Sequence, residues 1–157
     1  MRDAIAADAS AVARIYVDSW NAGFGDFLGP RELDAGLVRR WGDELAFGGT
    51  TRWWVAERDG LAVGFAGVGA SRDPVRPGLG ELDTIAVDPR HWRTGVGGAL
   101  MAVALGDLSA RFREAILWTV AGNERALGFY RVTGWETDGG IRAGGRQLSL
   151  RHRLGAG

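Results

Sequence analysis

The sequence has no cysteine, which removes disulfides, thiolate metal sites and a cysteine nucleophile from consideration. Lysine is absent as well, so all 19 basic residues of the Lys/Arg class are arginine, and 19 Asp and Glu balance them. A net charge of zero lacks the broad basic footprint of a nucleic-acid binder. His91 and His152 are the two histidines, too few for most zinc sites, and no metal is expected. The longest strongly apolar run, around residues 61–70, is half a membrane span, and Met1-Arg2-Asp3-Ala4 leads into no signal-like apolar core. These absences lead us to expect a soluble, cytoplasmic protein with neither membrane nor nucleic-acid partner.

What is present is a chain of 157 residues, 46% of them apolar, which suits a globular fold with one domain over residues 1–157. Residues 1–5 read as a short strand, after which Asp8 can cap a helix carrying Val12, Ile15, Tyr16 and Trp20 at helical spacing. Residues 21–30 interleave Gly23, Gly25 and Gly29 with Phe24, Phe27 and Leu28, the pattern of a loop carrying aromatics. Pro30 fits the first turn of a second helix ending near Phe47, with Leu33, Leu37, Trp41 and Leu45 on one stripe. Two β-prone runs then flank Asp59-Gly60 as a hairpin. Residues 71–80, with two prolines, read as a mobile loop before a strand over 81–87.

A glycine-rich turn follows that strand and feeds a helix running from Gly95 to about Arg111, with Val96, Leu100, Val103, Ala104 and Leu108 towards the sheet. A loop whose glycines expose the backbone, opening a helix whose first N–H groups have no intrahelical partner, is a design for binding phosphate. A mononucleotide loop would need Lys and then Ser or Thr after the last glycine, but Ala99 and Leu100 follow Gly98. A dinucleotide fingerprint would want Gly or Ala three positions after Gly97, where Leu100 stands. Next come a buried strand over 115–120, a helix opened by Gly122 and Asn123 with Leu127 and Tyr130 on one side, a stop at Gly134, and two strands near 135–137 and 147–153.

Taken together, the strand over 81–87, the loop Gly95-Val96-Gly97-Gly98, the strand over 116–120 and the segment running from Asn123 through Phe129-Tyr130 to Trp135 resemble the GNAT superfamily of N-acetyltransferases. The resemblance implies an α/β (α+β) fold, with a central mixed, mostly antiparallel twisted sheet of six or seven strands flanked by about four helices. It implies acetyl-CoA as acyl donor, with Arg93, Thr94, Gly95, Val96, Gly97 and Gly98 at the pyrophosphate. Ile85, Ala86 and Val87 would lie along the pantetheine arm, and Asn123 and Phe129 beside the thioester. The family loop usually opens on Gln or Arg, and Trp92 stands there in this chain; adjacent Arg93 could supply the charge. Arg90, Arg93 and Arg125 are further candidates for the outer phosphates.

Acyl transfer needs a base for the amine and an acid for the departing thiolate. By family likeness Glu81 is the base and Tyr130 the acid, with Asp83 on the same face as Glu81 because strand side chains repeat every two residues. Solvated strand-end charges for the carboxylates and a packing role for the tyrosine are the plain alternatives. The acceptor would be a small-molecule amine or a peptide N-terminus, received between the first two helices, the loop over 71–80 and the last hairpin, with Trp20, Phe24, Phe27 and Trp41 as an aromatic wall. The alternative function is a non-catalytic coenzyme A-binding sensor or interaction module; a nucleotide-binding regulatory domain is more remote, and a homodimer is left open.

Overall fold

The computed structural model describes residues 1–72 and 76–155, the side chains of Asp26 and Phe27 excepted. Among the described residues the chain runs β1 (Arg2–Asp3), α1 (Ala9–Leu28), α2 (Ala35–Phe47), β2 (Arg52–Arg58), β3 (Leu61–Ala70), β4 (Gly80–Val87), α3 (Val96–Arg111), β5 (Glu114–Val120), α4 (Glu124–Val132), β6 (Glu136–Arg142) and β7 (Gln147–Arg153). The strands form one sheet in the order β1-β2-β3-β4-β5-β7-β6. Only β4 and β5 run parallel; the other neighbours are antiparallel. The mixed sheet with four helices is the architecture expected from the sequence.

Local chemistry explains most element boundaries. Asp59 and Gly60 both have positive φ, 52° and 77°, which gives the primed turn that matches strand twist in a two-residue hairpin. Asn123 caps α4, its Oδ1 accepting the Ala126 N–H at 3.1 Å. Gly134, at φ 101°, ends the turn after α4 in a conformation that a side chain would strain.

Three expectations at the N-terminal end are corrected. The expected break over residues 21–30 is helical as far as Leu28. The Asn21 side chain brackets the backbone of Arg31, donating to its carbonyl at 3.0 Å and accepting its N–H at 2.7 Å. The Trp20 indole N–H donates to the Gly29 carbonyl at 3.1 Å, and the Trp20 and Phe24 rings meet at 5.0 Å. These contacts outweigh the helix cost of glycine, about 1 kcal/mol per residue. The second helix starts at Ala35 rather than at Pro30, because Asp34 is its cap, accepting the Leu37 N–H at 2.7 Å. Asp8 does stand at the start of α1, yet its side chain caps nothing there; it accepts the Ile5 N–H at 2.8 Å and two guanidinium hydrogen bonds from Arg2.

Two features of β4 position the site. It pairs with β5 only at Gly80↔Ala115 and Glu81↔Ile116, so past Glu81 the two strands part. Its register with β3 also jumps, from Val68↔Leu82 to Gly67↔Thr84, leaving Asp83 as the extra residue of a bulge. Leu82 therefore packs with Met101 and Leu108 of α3, Ile85 and Val87 with Val96 and Leu100 of the same helix, and Ala86 with Val12 and Ile15 of α1. Just after β4, buried Asp88 is paired with Arg90 at 2.8 Å and with Arg14 of α1 at 3.1 Å, tying the helix to the strand end. Its hydrogen bond from Arg90, helped by Arg14, holds this carboxyl well below the usual carboxylate range, against the opposing effect of burial.

Candidate active site

Where β4 leaves β5, a cleft of about 330 Å³ opens. Its walls are Ile85, Ala86 and Val87 of β4, the first turn of α3, the Arg125, Phe129 and Tyr130 side of α4, Phe24 of α1, and the loop residues His91, Trp92 and Arg93. Gly95 starts α3 at φ 89° with no side-chain cap, and the helical ladder begins with the Ala99 N–H donating to the Gly95 carbonyl at 3.1 Å. The N–H groups of Val96, Gly97 and Gly98 precede that bond and need outside acceptors. No atom stands within 4 Å of where a Cβ would sit on Gly95 or Gly98, and the Phe129 ring backs Gly97 at 3.5 Å. Bare donors at the positive end of a helix of 16 residues fit a phosphate.

Trp92 occupies the place of the family's Gln or Arg in a different way. Its indole N–H donates to the Val87 carbonyl at 2.8 Å, and the Arg125 guanidinium lies 3.7 Å from its ring centroid. Burial lowers the Arg125 pKa; the nearby Tyr130 opposes this, and the charge of Arg93 adds a smaller lowering. Arg125 and Arg93 have no carboxylate within 4 Å among the described residues, so α4 and the loop together bring two guanidinium groups to the glycine turn. With Trp92 in place of Gln or Arg, the positive charge beside the turn stands on Arg93 and on Arg125 of α4, both named as phosphate candidates above.

The remaining expected residues fall into three groups. Ile85, Ala86, Val87, Arg93, Gly95, Gly97, Gly98, Phe129, Tyr130 and Phe24 all line this cleft. Three others serve the scaffold beside it. The Thr94 hydroxyl donates to the His91 carbonyl at 2.5 Å, Val96 is buried against Leu100, and Asn123, besides capping α4, donates its amide to the Gly23 carbonyl at 3.3 Å. That last bond joins α4 to α1. Trp20 contacts Phe24 rather than the cleft itself, and the side chain of Phe27 lies outside the described residues.

Tyr130 lines the cleft, and burial pushes its pKa up to about 12 against the opposing effects of Thr119 and the nearby Arg125 charge. It is a proton donor at neutral pH. Glu81 sits on the last residue of β4 that still pairs with β5. Burial raises its pKa, the negative charge of Asp83 adds to the rise, and the Arg72 backbone N–H, donating at 3.1 Å, opposes it. A half-buried carboxylate whose pKa is raised holds a proton more readily than an ordinary glutamate.

A second cleft, again of about 330 Å³, opens on the α2 side of β4, lined by Tyr16, Arg31, Leu37, Arg40, Trp41, Glu44, Trp53, Asp83 and Thr84. The bulge explains how the successive residues Asp83 and Thr84 both reach it, where a regular pleat would send them to opposite faces. The two clefts thus use adjacent residues of one strand, 83–84 for one and 85–87 for the other. Among the described residues no group of three or more His, Cys, Asp and Glu could hold a metal ion, and no helix is long and apolar enough to cross a membrane.

A strand that parts from its parallel neighbour beside an uncapped, glycine-opened helix start sets an open strand edge next to a place for phosphate. Residues 10–135 match the acetyltransferase (GNAT) family, and the chain belongs to it, with acetyl-CoA as its acyl donor. It is 30% identical over 138 residues to the protein named "Probable N-acetyltransferase Rv2775" of Mycobacterium tuberculosis, covering 84% of this chain and 76% of that one. The mycothiol acetyltransferase of Streptomyces avermitilis is 31% identical over 111 residues, 70% of this chain but only 33% of that protein's length. The PaiA N-acetyltransferase of Thermoplasma acidophilum, solved in complex with coenzyme A, superposes with a TM-score of 0.73 at 14% identity over 97% of this chain and 96% of that one, a likeness of fold.

Proposed function

We propose that residues 1–157 act as one acyltransferase domain that moves the acetyl group of acetyl-CoA directly to a primary amine of a small molecule or peptide, within a ternary complex. The observation that carries this reading is the parting of β4 from β5 just past Glu81. It leaves an open strand edge that suits the amide-bearing arm of the donor, and the bulge at Asp83 brings a separate cleft, suited to an acceptor, to the same strand.

Acetyl-CoA would supply an activated thioester. The chain's part is to hold the pyrophosphate on the N–H groups of residues 96–98 with Arg93 and Arg125 alongside, and the arm along residues 85–87. Glu81, directly or through water, would take the proton that the amine loses as the new N–C bond forms. Tyr130 would give its phenolic proton to the sulfur released as the C–S bond breaks. Without cysteine, a thioester relay on the enzyme is excluded, and one direct displacement is the simplest route.

Thiol release from acetyl-CoA, measured while both substrates are varied, tests the reading. Intersecting double-reciprocal lines are expected; parallel lines would overturn direct transfer. Tight coenzyme A binding with no turnover on any amine would favour a non-catalytic binding module.

A further inference from the structure

The second cleft has an uneven charge balance. Four charged side chains line it, Arg31, Arg40, Glu44 and Asp83. The two carboxylates already have a shared counterion: Arg72, which does not line the cleft, reaches Glu44 at 2.6 Å and Asp83 at 3.7 Å, and the Thr84 hydroxyl donates to Asp83 at 2.9 Å. The two guanidinium groups have none. Arg31 donates to the Tyr16 hydroxyl at 2.6 Å and stacks on the Trp20 ring at 3.8 Å, while Arg40 has no carboxylate within 4 Å among the described residues. Both residues are exposed, so their guanidinium groups are the charges of this cleft left available to an anion from solution.

Its floor is aromatic. Tyr16 meets Trp41 edge-on at 5.7 Å, and Trp41 meets Trp53 edge-on at 5.1 Å. Trp53, 5% exposed, keeps an indole N–H without a hydrogen-bond partner among the described residues, an open donor that costs stability unless something accepts from it. The volume lies at the small end of ligand sites, about 300–1,000 Å³.

Building on the transfer reading above, we propose that the acceptor is a free amino acid with an apolar side chain. Its carboxylate is held by Arg31 and Arg40, its side chain lies over Tyr16 and Trp41, and its amine is directed towards Asp83 and the open edge of β4. Stacking fixes the plane of the Arg31 guanidinium, and a guanidinium fork held in a plane matches a carboxylate with two parallel hydrogen bonds. A neutral amine would leave both arginines without a counterion.

The test is a thiol-release panel of the twenty L-amino acids, each beside its amide and its decarboxylated amine, with acetyl-CoA saturating. The best acceptor is expected to be a free amino acid with kcat/KM higher than its own amide by on the order of tenfold or more. Arg40→Gln, at an exposed position where folding is readily checked by thermal melting, is expected to bring that ratio close to one. A neutral amide or amine that matches or beats the free acid overturns the proposal while leaving amine acetylation standing, as does a ratio unchanged in Arg40→Gln. If acetyl-CoA binds and no amine is turned over, the transfer reading fails by itself. The amino-acid site is then judged by calorimetry with coenzyme A present: saturable binding of a free amino acid that Arg40→Gln abolishes upholds it, and no binding overturns it.

Discussion

The Arg125 guanidinium stacks 3.7 Å from the centre of the Trp92 ring, and through the indole N–H on the Val87 carbonyl this pair links α4 to the end of β4 across the donor cleft. Replacing the ring should release both bonds at once. Trp92→Ala is expected to weaken coenzyme A binding by about 1–2 kcal/mol, roughly 5- to 30-fold in Kd. Trp92→Gln, which restores the residue usual in the family, should recover part of the loss. Calorimetry on the three proteins measures this, and equal Kd values would show that the stack is not part of the donor site.

Gly97→Asp should hardly disturb folding, since the site of its Cβ has only ordinary contact with Phe129 and an acidic residue in the first turn favours a helix. The same carboxylate repels phosphate. Coenzyme A affinity is therefore expected to fall by about 1.4 kcal/mol or more, tenfold in Kd, with the melting temperature of the free protein unchanged or raised.

Tyr130→Phe keeps the ring and removes the proton. If the phenol protonates the leaving sulfur, kcat should drop by about 10²-fold, the lower range of acid catalysis, with little change in coenzyme A affinity. Because the native pKa is pushed up to about 12, the acid stays protonated throughout the accessible range, and no loss of rate assignable to this group is expected as pH rises to 10. Unchanged turnover in the variant would end its assignment as acid.

If Glu81 is the base, it sets the opposite limb. A base works deprotonated, so kcat/KM should rise with pH through a midpoint above the ordinary glutamate value, because burial raises that pKa, and then level off. Glu81→Gln should lower the rate and remove the limb. A pH–rate profile that keeps its shape in the variant would assign the proton to another group or to bulk water.

Gly67→Ala tests the scaffold of the second cleft. A Cβ at Gly67 would overlap the Trp53 ring, which is wedged between Trp41 and Phe65 and cannot swing away. Overpacking of this kind costs about 1–3 kcal/mol, seen as a melting point lower by roughly 2–12 °C for a chain of this size.

The mixed sheet followed from the family resemblance; the amino-acid sequence by itself determined the order of most helices and strands and the glycine turn at 95–98. These depend on short-range rules: alternation in strands, apolar spacing in α3, capping by Asn123, positive φ at Asp59-Gly60 and at Gly134. They are legible because each is decided within a few residues. The tertiary structure decided the rest. Residues 21–28 stayed helical only through contacts of Trp20 and Asn21 with the chain at Gly29 and Arg31, partners that local propensity does not include. The bulge at Asp83, the early parting of β4 from β5, the stack of Arg125 on Trp92 and the claim of Arg72 on two carboxylates each join residues distant in sequence or depend on strand register. The glycine-opened helix start was readable because its uncapped N–H groups follow from the local sequence alone. The second cleft depends on which side chains face one another across the sheet, and that is fixed only once the chain has packed.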